Sequence, residues 1–222
     1  MNPGEPLIDF GWIAGHLDDI AQRIGEHATM TVLAVGIGFI ISFALALLAR
    51  NRRALYGPIM IGADLLYSIP SLAFFALMIP FTGISILTAE IALVSYTLLV
   101  LVRNIVTAFD GVPREVIEAA DGMGFSRAQR LVRIELPIAL PVIVAGIRIA
   151  TVTTVGLVTV TSLIGLGGLG YFIVTSGINR FFPTSIFVGV AASVGMAVLA
   201  DAGLLLLQRA LTPWARARGG TG

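Results

Sequence analysis

Apolar residues run along this chain in long unbroken blocks, and polar residues collect between the blocks instead of alternating within them. The blocks lie at about 28–49, 58–81, 86–108, 138–162 and 184–207. Each is close to the ~20 residues that a helix needs to cross a hydrocarbon core of ~30 Å. Strands do not fit, because in lipid they satisfy their backbone only in a closed barrel, whose pattern alternates. Five transmembrane helices are predicted. Ahead of the first block the period changes: Phe10, Ile13, Leu17, Ile20 and Ile24 recur at helical spacing, with Asp18, Asp19, Gln22 and Arg23 between them. This predicts an amphipathic helix on the outer membrane surface; a frayed polar tail is the alternative. Residues 1–27 are therefore a lead-in, 28–210 one membrane domain, and 211–222 a tail whose end, Arg218–Gly222, is expected to be disordered.

Composition supports the membrane class. The chain is 57% hydrophobic and 12% charged, with a mean hydropathy of +0.95, too little polar surface for a soluble domain of this length. Its 14 basic residues are all arginine, and their placement orients the chain. Arg50, Arg52 and Arg53 follow the first span, Arg114, Arg127, Arg130 and Arg133 separate the third from the fourth, and Arg209, Arg216 and Arg218 follow the fifth. With five spans these share one side, and only Arg23 and Arg180 fall on the other. The positive-inside rule then predicts an outer N-terminus and a cytoplasmic C-terminus. Tyr56 and Trp214, near inner span ends, suit an interfacial aromatic belt. Glu5, Asp9, Asp18, Asp19 and Glu26 outweigh Arg23 in the first 26 residues, unlike the basic start of a secretory signal. The first span is expected to remain in the mature protein.

The longest predicted cytoplasmic segment, 110–137, holds Glu118-Ala119-Ala120, then Gly124 after three residues, then Ile134-Glu135-Leu136-Pro137 after nine more. Residues 117–120 favour a helix, and Gly124 permits positive φ or close backbone approach where that helix ends. Residues 127–136 form a second short helix, and Pro137 suits the first turn of the next span. Met123 and Phe125 flank the turn and offer apolar side chains to a partner's groove. The segment resembles the EAA loop of binding-protein-dependent ABC importer permeases, matching EAA-x3-G-x9-I-x-LP at each fixed position. The resemblance implies that Glu118, Ala119, Ala120, Met123, Gly124, Phe125, Ile134, Leu136 and Pro137 build a coupling helix seated on a separate ATPase subunit. Further implied partners are a second permease copy, identical or homologous, and an external substrate-binding protein. The family setting is the bacterial inner membrane, with no nucleic-acid partner.

Gly165, Gly167 and Gly170 satisfy GxGxxG, but the pattern follows a membrane span, and the next acid is Asp201. A dinucleotide fingerprint needs a preceding strand and an acid about 20 residues on. The glycines instead predict a re-entrant turn or tight outer loop between spans four and five. A chain without lysine has no GxxxxGK[ST] loop, so ATP and Mg are expected on the partner ATPase and no cofactor on this chain. Without cysteine there is no disulfide, thiolate nucleophile or Cys-based metal site. His16 and His27 lie in the outer N-terminal region and read as surface or helix-start residues.

Five ionisable residues fall in or beside the spans: Asp64, Glu90, Arg103, Arg148 and Asp201. Glu90, near an outer end, is expected to reach water. The other four sit at comparable depth, which suggests pairs such as Arg148–Asp201 and Arg103–Asp64, since an unpaired charge in lipid costs roughly 2.5–3.5 kcal/mol. Two roles fit such pairs, an inner network that changes as a path opens, or static packing and snorkelling. Pro70 is expected to kink span two and free a carbonyl near Leu66, with Ser68 and Ser71 beside it. That suits either a path-lining helix or a packing kink.

Finer resemblance lies in Tyr67-Ser-Ile-Pro-Ser-Leu-Ala73, Leu77-Met-Ile-Pro80, Glu135–Val142 and Ala145–Val152. These look like the osmoprotectant permeases, which import glycine betaine, carnitine, choline or related quaternary amines. The implied function is alternating-access import of such a solute, driven by the ATPase, with no covalent chemistry on this chain. Permeases for methionine or another small amino acid share the plan and are the alternative. An ion-coupled secondary transporter, with Asp64, Arg148 and Asp201 as relay, is a further one. Aromatic residues make up 8% of the chain and look scattered, so no cation–π cage is evident from the spans themselves.

Overall fold

Long apolar runs with few interior breakers leave the backbone one way to satisfy itself in lipid, and the chain takes it. The computed structural model describes residues 7–213, and among them every regular element is helical. Trp214, Arg216, Arg218, Glu5 and the tail 218–222 lie outside the described residues. A short α1 (Phe10–Gly15) is capped by the Asp9 side chain accepting from Trp12 N. Next come α2 (Leu17–Asn51), α3 (Tyr56–Ser68), α4 (Ser71–Thr82) and α5 (Ile86–Asp110). Two short helices, α6 (Arg114–Gly122) and α7 (Arg127–Arg130), lead through a π-helical turn at Leu131–Glu135 into α8 (Leu136–Val160). The short α9 (Gly170–Ile173) precedes α10 (Pro183–Leu211). Four helices are long and apolar enough to cross a membrane, or five if the bent pair α3–α4 counts as one span.

The amphipathic stretch divides between two helices, Phe10 and Ile13 in α1 and Leu17, Ile20 and Ile24 in α2. Residues 17–27 continue directly into the apolar run as α2, and 35 residues at about 1.5 Å each reach about 52 Å. The helix therefore outruns a ~30 Å core by several turns. The short α1 docks on the start of α10, with Asp9 N donating to Thr184 Oγ1 at 2.9 Å and Trp12 meeting Phe182 edge-on at 5.1 Å.

The core is a packed trio in which α5 lies against α2 on one side and α8 on the other, and α10 packs along α8. Small residues set the spacing, as expected where lipid removes the hydrophobic drive between helices. A methyl group on Gly38 would sit 1.9 Å from Thr97 Oγ1, and one on Gly146 would sit 2.6 Å from Asn104 Cβ. These contacts fix how closely α2 and α8 approach α5. Leu101, Val102, Ile105 and Ile143 fill the half of the trio nearer α6 and α7; Leu93, Phe75 and Val158 fill the other half.

Candidate functional site

The segment between α5 and α8 is shaped by local chemistry. Gly124 adopts φ 80, a left-handed conformation that ends α6 sharply. Ser126 and Gln129 then form a capping box that starts α7. Ala120 is buried and Ile117 packs on the inner core, whereas Glu118 and Ala119 are exposed. At the turn, Met123 is 67% exposed and Phe125 is half-buried. Ile134, Leu136 and Pro137 are half-buried; Pro137 follows the π turn, which runs into α8 without a break, instead of opening a fresh helix.

What braces this segment lies at a position that the motif leaves variable. Glu135 is 1% exposed, and two arginines hold its carboxylate. Arg130 Nε donates to Glu135 Oε1 at 2.7 Å, and its Nη1 donates to Asp121 on α6 at 2.6 Å. Arg50, from the end of α2, pairs with Glu135 Oε2 and lies 5.1 Å over the Phe109 ring. A single buried acid thus joins α2, α6, α7 and α8. Arg53 adds a bidentate pair to Asp110, at 2.9 and 3.1 Å. In the sequence Arg50, Arg53 and Arg130 count only as positive-inside charges. The usable signal was the pairing of a lone acid in an apolar flank with arginines at span ends.

The second region is the break between α3 and α4. Pro70 does not kink a continuous helix: the chain stops at Ser68, runs extended through Ile69 and Pro70, and restarts at Ser71 bent by 95°. The Leu66 carbonyl is not freed either, since it accepts from Ile69 N at 3.4 Å. The carbonyl that loses its helical partner is that of Ile69, and the Tyr96 hydroxyl on α5 donates to it. An outside donor makes a full break affordable where a lone proline gives only a bend. A cleft of about 440 Å³ opens at the break, lined by Tyr67, Ser68, Ser71, Tyr96, Thr97 and Thr153 among others. Tyr67 and Tyr96 meet edge-on at 5.7 Å, and Phe74 meets Tyr96 at 5.9 Å. Three of the aromatics that look scattered along the chain thus meet here.

The intramembrane charges fall into unequal pairs. Arg148 Nε and Nη2 donate to Asp201 Oδ1 and Oδ2, both at 2.8 Å, joining α8 to α10 in a fork geometry. Arg103 and Asp64 approach only to 3.7 Å, and both remain more than half exposed. Glu90 does not reach water: it is 7% exposed, and both its carboxylate oxygens are buried without a hydrogen-bond partner among the described residues.

On the opposite end, the glycine-rich segment is tied down by residues that sequence reasoning set aside. His27 is fully buried; its Nε2 lies 3.0 Å from Val155 O, and Leu169 N donates to its Nδ1 at 3.2 Å. Those contacts assign the Nε2–H tautomer. Glu26 accepts from Gly168 N at 2.9 Å and pairs with Arg23, which lies 4.2 Å over the Tyr171 ring. Gly165 and Gly168, not Gly167 or Gly170, carry the positive φ values that turn the chain. His16 stacks on Trp12 at 4.2 Å.

This fold matches known transport proteins. Residues 29–216 fit the family described as the binding-protein-dependent transport system inner membrane component. The chain belongs to that family. It is a multi-pass inner-membrane protein and a transport component. It is 39% identical to the osmoprotectant import permease protein OsmW of Salmonella typhimurium, covering 90% of this chain and 94% of that one. It is 35% identical to the choline transport system permease protein OpuBB of Bacillus subtilis, over 88% and 89%. Among solved structures, the MetNI methionine ABC transporter in an inward-facing conformation superposes with a TM-score of 0.79 at 25% identity, covering 87% of this chain and 96% of that one.

Proposed function

We propose that this chain is the permease subunit of an ATP-driven importer for a small osmoprotectant carrying a quaternary amine, such as choline, glycine betaine or carnitine. It spans the membrane five times, with α3–α4 as one broken span, an outer N-terminus and a cytoplasmic C-terminus. Two ATPase subunits dock on residues 118–137, a second permease copy completes the path, and a binding protein delivers solute to the outer face. Closure of the ATPases draws the two docking loops together and opens the path outward; hydrolysis resets it.

The observation that carries this reading is the loop: an exposed Met123–Gly124 turn braced by a buried carboxylate that holds Arg50 of α2 and Arg130 of α7. An exposed apolar tip suits a groove on a partner, and the buried brace lets a push at the tip reach α2 and α8 together. The substrate class rests on the relatives' functions, with identities of 31–39% to osmoprotectant, choline and carnitine permeases. The methionine alternative draws on the MetNI likeness, at the lower identity of 25%.

In this scheme Arg148–Asp201 and Arg103–Asp64 are the inner gating pairs, and Ser68, Pro70 and Ser71 line the path. The test is reconstitution with the ATPase and binding protein encoded beside it, with a ligand screen on the binding protein. Uptake should require ATP and the binding protein, and a quaternary amine should bind. Uptake that persists without the ATPase and collapses with an ion gradient would refute the mechanism. Binding of an amino acid alone would refute the substrate class and leave the mechanism standing.

A further inference from the structure

We infer that the cleft at the α3–α4 break is a low-affinity transit site for the trimethylammonium end of the solute, with the Tyr67 ring, backed by the buried Tyr96, as its recognition surface. The inference rests on the quaternary-amine reading above. A quaternary nitrogen has no N–H to donate and a shell of methyl groups, so carbonyls and hydroxyls recognise it poorly and aromatic faces recognise it well. The cleft offers two such rings, with the hydroxyls of Ser68, Ser71, Thr97, Thr153 and Thr154 around them. Its volume, about 440 Å³, falls within the roughly 300–1,000 Å³ usual for small-molecule sites.

Three details favour a cation. First, the Tyr96 hydroxyl is committed to the Ile69 carbonyl, which fixes the ring edge-on to Tyr67 at 5.7 Å. Second, Tyr67 lines the cleft and is 45% exposed, whereas Tyr96 behind it is 6% exposed. Third, no charged side chain is among the described residues that line the cleft. An acid there would hold a permanent cation too firmly for passage, and a guanidinium would repel it. Asp64, one turn before Ser68 on α3, instead faces Arg103 at 3.7 Å. The helix ends that meet at the break carry opposite partial charges, so the backbone expresses no net preference and the rings decide.

The chain contains no cysteine, so a single thiol at the exposed Ser68 reports on the cleft cleanly. The permease–ATPase complex carrying Ser68→Cys, in lipid nanodiscs without binding protein, is labelled with a neutral maleimide, and labelling of the permease band is timed. Choline and tetramethylammonium should slow labelling, while 3,3-dimethylbutan-1-ol, the uncharged carbon analogue of choline, should not at equal concentration. Tyr67→Ala should raise the half-protecting choline concentration about fivefold, and Tyr67→Phe should leave it unchanged. Equal protection by the carbon analogue, no protection by choline, or unaltered protection in Tyr67→Ala would each overturn the site. The first two outcomes need no change at Tyr67, so a misfolded variant does not shield the proposal. The binding-protein screen is read separately: an amino-acid ligand there with choline protection here would sink the substrate reading while keeping the cation site.

Discussion

The inner loop and the broken-helix cleft are built by opposite means. The loop is held by full charges: Glu135, almost wholly buried, lies between Arg50 and Arg130, with Asp121 extending the chain of contacts. The cleft is held by one hydroxyl-to-carbonyl bond and edge-on rings, with hydroxyls and small side chains around it. A part that transmits force between helices needs bonds that do not yield, and a part that passes solute needs contacts that let go. On the proposed function the division matches the work asked of each.

The largest effect is expected at the loop. Glu135→Ala removes the buried acid that Arg50 and Arg130 share, leaving Arg130 to Asp121, and should destabilise the protein by about 3 kcal/mol, read from thermal unfolding in detergent. A loss under about 1 kcal/mol would mean that the clamp is not what holds the loop. Replacing Arg50, Arg130 and Glu135 together with apolar residues should recover much of that stability, yet uptake per ATP hydrolysed should stay low. Full recovery of both would reduce the clamp to packing.

A smaller effect tests whether charge pairing also belongs to the path. Arg148→Leu with Asp201→Leu removes the fork between α8 and α10 without leaving either charge alone. Transport per folded molecule should fall several-fold; unchanged transport would make the pair static glue. The smallest effect is at the cleft. Tyr96→Phe removes the donor to Ile69 O and should cost about 1 kcal/mol, visible as a modest drop in melting temperature. A loss as large as that of Glu135→Ala would show that the break is held as firmly as the loop, and the contrast would fail.

The two regions also differed in how far the amino-acid order revealed them. Gly124 announces the turn because its residue type permits a left-handed conformation, a local requirement, whereas Pro137 suggested a helix start where the helix in fact runs through from Arg127. Glu135 was passed over because its partners lie 85 residues before it and five before it, and only packing brings Arg50 to it. The break at Pro70 was underestimated for the same reason: its completing donor, Tyr96, comes from another helix. His27 and Glu90 looked like surface residues because they stand near span ends, where depth along the helix is visible and the neighbouring helix is not. The amphipathic stripe did not show where the backbone pauses: it breaks at His16, and between Leu17 and Asn51 it does not.

The central claim is that residues 118–137 receive the force of a separate ATPase. Its most direct test is the ratio of uptake to ATP hydrolysis in proteoliposomes bearing Glu118→Arg together with Gly124→Leu. Gly124 holds φ 80, where a side chain is strained, and Glu118 is exposed, so the pair alters the tip while leaving the Glu135 clamp in place. The account predicts that the folded complex hydrolyses ATP without stimulation by the binding protein and imports little. Wild-type coupling in that variant would contradict it.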